Sequence, residues 1–119
     1  MKSAIGVVGI LLFFAAPGLA ENWPSWRGPR GDGTSSETGL PVRWSSTQNI
    51  QWKVPIPGVG HSSPIIWGDR LFLTSCKEKE EQRLLLCLDR RDGKVMWERV
   101  VVNAKLEQKH NLNSYASST

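Results

Sequence analysis

Apolar and polar residues alternate along this chain with the period of a β-strand, in short stretches separated by Gly, Asp and Pro. Ile50, Trp52 and Val54 alternate with Gln51 and Lys53, which predicts a half-buried strand over Asn49–Pro55, closed by Pro55 and Pro57. Gly58 and Gly60 make the loop that follows. Ser63–Trp67 predicts a short strand, Gly68-Asp69 a two-residue hairpin turn, and Arg70–Cys76 its partner. Leu71, Phe72 and Leu73 are apolar on both faces, as an inner strand requires. Lys77–Gln82 is a charged hairpin tip. Arg83–Asp89 predicts the third strand, and Lys94–Val102 the fourth. Between them Asp89 and Asp92-Gly93 supply turn chemistry: Asp bonds nearby backbone N–H groups, and Gly accepts positive φ without a Cβ clash. Asn103–Leu112 is polar and irregular, with one helical turn expected around Ala104–Gln108.

The predicted fold class is therefore all-β, a four-stranded antiparallel meander joined by short hairpins. Its flanks repeat it. Ile50-Gln51-Trp52-Lys53 resembles Val95-Met96-Trp97-Glu98 at an offset of 45, and Gly60-His61-Ser62-Ser63 resembles Tyr115-Ala116-Ser117-Ser118 at an offset of 55. The difference is the longer second connection. Four strands per unit at a period of roughly 40–50 residues mark a β-propeller blade. The chain divides into residues 1–20, an irregular arm over 21–48, the closing strand of another blade over 49–58, one blade over 61–102 and a connection into a next blade over 103–119. An N-terminal fragment of a longer ring is the expectation, with residues 21–119 alone aggregating or unfolding without a sharp transition.

The first twenty residues carry an export address. Lys2 supplies the positive start, Ala4–Ala16 an apolar core, Pro17-Gly18 a break, and Gly18-Leu19-Ala20 the small residues before a cut after Ala20. A periplasmic or extracellular location follows, with no stable membrane span after cleavage. The arm behind the cut is dense in breakers, including Trp23-Pro24, Gly28-Pro29, Asp32-Gly33 and Pro41. Trp23, Trp26 and Trp44 punctuate it, and rings of that size are expected to pack flat against the body. Six tryptophans stand against one tyrosine.

Net charge is +4, but Lys and Arg alternate with acidic residues from Lys77 onward, so no basic stripe points to nucleic acid. Gly28, Gly31 and Gly33 lack the strand, helix and Gly-Lys-Ser/Thr of a phosphate loop. Arg30-Gly31-Asp32 is explained by turn chemistry. The hairpin register places Cys76 opposite Arg83 and Cys87 opposite Phe72, about 13 Å apart along the strands, so two unlinked thiols are expected.

Ser63-Pro64, Gly68-Asp69-Arg70-Leu71-Phe72-Leu73, Leu88-Asp89, Asp92-Gly93-Lys94 and Trp97 together resemble the PQQ-like β-propeller repeat, with Asp92 where that family usually has Thr. Trp26-Arg27-Gly28-Pro29-x-Gly31-Asp32-Gly33, Gly39-Leu40-Pro41 and Gly60-His61-Ser62-Ser63-Pro64 look like the start of its exported members. The resemblance implies that Trp97 docks the next blade with Gly93 leaving room for the ring, that Trp52 does the same one blade earlier, and that Asp89 belongs to the same structural turn. It implies the remaining propeller blades as partners, and a non-catalytic binding or scaffold role toward a protein or small molecule. The alternative it implies is the N-terminal part of a quinoprotein alcohol or sugar dehydrogenase, with PQQ and Ca²⁺ on the ring axis of a full-length protein. Cys76 and Cys87 are not vicinal, and no carboxylate stands in an apolar context that would raise its pKa, so no catalytic, cofactor-binding or metal-ligating residue is assigned here. The only histidines, His61 and His110, fall in loops leading into an inner strand, where a propeller mouth lies; they are the weak candidates for a binding role.

Overall fold

The computed structural model describes residues 20–117; the expected export leader, apart from Ala20, lies outside the described residues, as does Ser118 of the Tyr115–Ser118 motif. Strands β1 (Ile65–Trp67), β2 (Arg70–Lys77), β3 (Gln82–Asp89) and β4 (Val95–Asn103) form one antiparallel sheet in sequential order. The bounds match the periodicity to within about two residues. Among the described residues no helix is long and apolar enough to cross a membrane.

Cross-strand pairing sorts the side chains onto two faces, because partners in a ladder point the same way. Leu71 opposes Leu88, Leu73 opposes Leu86, and Ser75 opposes Leu84. Leu84, Leu86 and Leu88 are fully buried on that face, covered by Val54 and Ile56 and flanked by Leu71 and Leu73. Phe72, Cys76, Leu85 and Cys87 belong to the other face, where the Phe72 ring meets that of Trp97 at 6.1 Å. The pairing of β3 with β4 shifts at Arg83/Leu84 and at Cys87/Leu88, where β4 carries one extra residue each time. Such bulges increase the twist of an edge strand and disrupt its ladder.

Cys76 stands opposite Arg83 and Cys87 opposite Phe72, as the register predicts, and both are free and buried. Burial pushes the Cys76 thiol up, which disfavours the reactive thiolate.

Two expectations are corrected. Ala104–Gln108 forms no helical turn. Its polar groups bond outward: Ala104 N–H donates to the Glu81 carbonyl at 3.3 Å, Leu106 N–H donates to Glu81 Oε1 at 3.3 Å, and Glu107 pairs with Arg83. One turn of helix is a costly nucleus, and these contacts replace it. Asn49–Pro55, expected as the closing strand of another blade, stands outside this sheet, with burial alternating from Gln51 to Ile56. The period-two pattern there reflects which side chains reach the sheet, Val54 and Ile56 among them. Of the arm's three tryptophans only Trp23 is tied to the body, exchanging both backbone bonds with Ile66 at 2.8 and 2.9 Å while its ring lies on Gly28 within the arm. Trp26 and Trp44 remain 60% and 64% exposed, the former with the Arg27 guanidinium over its ring.

Candidate functional site

The turn from β3 to β4 is closed by backbone and side-chain hydrogen bonds together. Asp89 is buried and closes the turn through its own backbone: its N–H donates to the Lys94 carbonyl at 2.8 Å, and its carbonyl accepts from Gly93 N–H at 2.9 Å. Asp89 Oδ1 accepts from Arg91 N–H at 2.9 Å, and Oδ2 from Arg91 Nη2 at 2.7 Å. Gly93 has φ of 73°, the left-handed region that lets the chain reverse into β4.

The face of that turn is occupied by a residue from before the sheet. A Cβ on Gly93 would lie 2.5 Å from Cε3 of Trp52, so the ring rests directly on the glycine backbone. Trp52 Nε1 donates to the Arg90 carbonyl at 3.0 Å, and Gln51 Nε2 donates to the Arg91 carbonyl at 3.0 Å. Gly93 thus makes room for Trp52, while Trp97, half-buried on β4, lies against Phe72 instead. The repeat resemblance implies that Gly93 leaves room for the Trp97 ring; the ring seated on it is that of Trp52. Residues on one strand and its preceding turn diverge in direction, whereas a ring arriving from another segment can lie flat on the turn. Gln51 was missed as a contributor; the polar partner of an alternating pattern gives no signal of what its amide will bond.

Acid should loosen this turn. Arg91 side-chain hydrogen bonds, then its backbone N–H, hold the Asp89 carboxyl well below the usual carboxylate range. A carboxyl whose folded pKa is depressed binds fewer protons folded than unfolded. Its contribution is fully present above about pH 4 and is lost as pH falls through the folded value. The urea midpoint should therefore fall more steeply below about pH 4 for the native protein than for Asp89→Asn; parallel curves would exclude Asp89 as the source.

A second junction brings the two copies of the short motif side by side. His61 N–H donates to the Ala116 carbonyl at 2.9 Å and to Ser114 Oγ at 3.0 Å. Ala116 is buried, and a Cβ on Gly60 would lie 3.1 Å from its methyl group. Ser62 Oγ donates to the Thr74 carbonyl at 3.0 Å and accepts from Thr74 N–H at 3.1 Å, which leaves the hydroxyl in a structural role. His61 is exposed and held through its backbone. His110 lies in an exposed loop, where its Nδ1 accepts from Leu112 N–H at 3.2 Å. Among the described residues no hydrogen bond joins the two histidines.

The Ca²⁺ of a quinoprotein requires several oxygen ligands around one point. Among the described residues no three His, Cys, Asp or Glu side chains gather to hold an ion. Arg30 and Asp32 are exposed and bond to neighbours within the arm, Glu21 and Thr34. No family model, no curated protein and no solved structure matches the chain.

Proposed function

We propose that this sheet is one blade of an exported PQQ-like β-propeller, acting as a non-catalytic binding or scaffold module in the periplasm or outside the cell. The observation that carries this reading is the seating of Trp52 on Gly93. A tryptophan from before the sheet caps the sheet's own turn, and Trp97 occupies the matching place 45 residues later. In a ring of blades Trp97 would take on the next blade the position that Trp52 takes on this one.

Two further observations support it. Gly60-His61 and its later copy around Ala116 lie side by side, as equivalent positions of successive units do around an axis. Val95, Met96, Val100, Val101 and Val102 of β4 stay exposed, an apolar load that neighbouring blades would cover. The partners are then the other blades and, at the mouth near His61 and His110, a protein or small molecule.

Sedimentation of residues 21–119 tests this. Self-association through the uncovered faces is the expected result, with the absorbance of added PQQ and Ca²⁺ equal to the sum of the parts. A compact monomer with one sharp unfolding transition would refute the blade. A shifted PQQ band that disappears with chelator would replace the scaffold role with a quinoprotein dehydrogenase.

A further inference from the structure

Glu21 sits at the centre of a polar knot. Its backbone nitrogen donates to Glu37 Oε1 at 2.7 Å. Its carboxylate is gripped by Arg30, Nη1 to Oε1 at 2.7 Å and Nη2 to Oε2 at 3.1 Å, and accepts from Ser35 Oγ at 3.4 Å. Arg30 Nη2 also donates to the Thr34 carbonyl at 2.6 Å, and Glu37 N–H donates to Ser35 Oγ at 3.1 Å. The loop from Arg30 to Glu37 is thereby wrapped around residue 21. The next two residues tie this knot to the sheet: Asn22 Oδ1 accepts from Gly68 N–H at 2.6 Å, and Trp23 pairs with Ile66.

We propose that cleavage between Ala20 and Glu21 turns the Glu21–Glu37 contact into an ammonium–carboxylate pair, so that export processing itself fastens the arm. This rests on the export reading. Water hydrolyses the Ala20–Glu21 peptide bond; the carboxylate leaves with the leader, and the new amine of Glu21 takes up a proton. Before the cut, the nitrogen facing Glu37 is a neutral amide with one N–H. After it, the same atom carries three N–H donors and a positive charge. The carboxylate of Glu37 is charged before and after the cut, so what cleavage adds is the Coulomb attraction of an opposite unit charge at the same contact.

Little is lost in exchange. The Ala20 carbonyl accepts a 3.3 Å bond from Arg90 Nη1, which also reaches the Gly68 carbonyl at 3.4 Å and keeps that contact. The charged groups around the new amine are Glu37, the Glu21 carboxylate, Arg30 and Arg90. Arg30 neutralises the Glu21 carboxylate, and its hydrogen bonds hold that carboxyl below its usual range. Glu37 is left as the anion whose side-chain bond is to the Glu21 nitrogen.

The experiment uses the full chain expressed with its leader and recovered after export. Terminal sequencing should begin at Glu21. The α-amine is then titrated through the pH dependence of its acetylation by a trace of acetic anhydride, in native protein and in urea. Its pKa should lie about half a unit above the ordinary ~7.7–8.0 in native protein, and return to that range in urea and in native Glu37→Gln. The comparison of native protein with urea stands even if the variant fails to fold. A Glu21 terminus whose pKa is the same in native protein and in urea overturns the fastening alone. A native shift that persists in folded Glu37→Gln overturns it as well. A different first residue overturns the cut together with it.

Discussion

Gly93→Ala is expected to destabilise the protein by about 3 kcal/mol, although it adds only a methyl group. Two effects combine. A non-glycine residue in the left-handed region costs roughly 1–2 kcal/mol, and Gly93 has φ of 73°. The new Cβ would also lie 2.5 Å from the Trp52 ring, against backbone on one side and a ring held by its own hydrogen bond on the other. Neither partner is the free end of a flexible chain, so the segment from Gln51 to Val54 would have to lift. Trp52→Ala should cost about 2–3 kcal/mol, below the full range for a buried Trp because the ring is half-buried. The two costs should not add. Once the ring is gone the clash is relieved, and Gly93→Ala in a Trp52→Ala background should cost only the backbone part. A double-mutant cycle by urea denaturation, at fixed protein concentration, reads the difference. Strict additivity would mean that the ring and the glycine do not touch.

Leu86→Ala should cost about 3 kcal/mol, and Leu85→Ala less than about half of that. The residues are adjacent and chemically identical, so composition and propensity predict equal effects. They differ in the face they occupy. Leu86 is fully buried beside Leu84 and Leu88, in a core that Val54 and Ile56 cover. Leu85 points to the opposite face, between Thr74 and Arg99, and is only half-buried. Truncating Leu86 leaves a void that a rigid sheet cannot close, while a half-exposed site can fill with water or relax. Unfolding midpoints of the two variants decide it, and a larger loss for Leu85→Ala would place the main core on the other face.

The strands and hairpins were legible in the sequence because each is specified locally. Gly68-Asp69 sets the first turn and Asp92-Gly93 the last, and the charged run at Lys77–Gln82 cannot enter a core. The charged tip centres the hairpin of β2 on β3, and Cys76 and Cys87 stand apart and unlinked in the register that results. Pairing across a short hairpin is decided by residues that are close in sequence, and so its signals are local too.

What lies outside the hairpins depended on the tertiary structure. The run Leu84–Leu88 shows that a strand is apolar but not which of its faces holds the deeper core; that was decided by Val54 and Ile56 arriving from another segment. The alternation around Trp52 shows that one side is buried, yet a side chain's preference for burial carries no address. Its seat on Gly93 is a match of a flat ring to a bare backbone roughly 40 residues away. Trp23, Trp26 and Trp44 are the same residue type in one irregular arm, and only the first is fastened, because its backbone pairs with Ile66 while nothing comparable draws in the others. Local chemistry determined the strands, the turns and their register. The choice of covering segment, and of which tryptophan takes the Gly93 turn, was made by shape and by backbone groups that every residue carries, which the alternation around Trp52 does not encode.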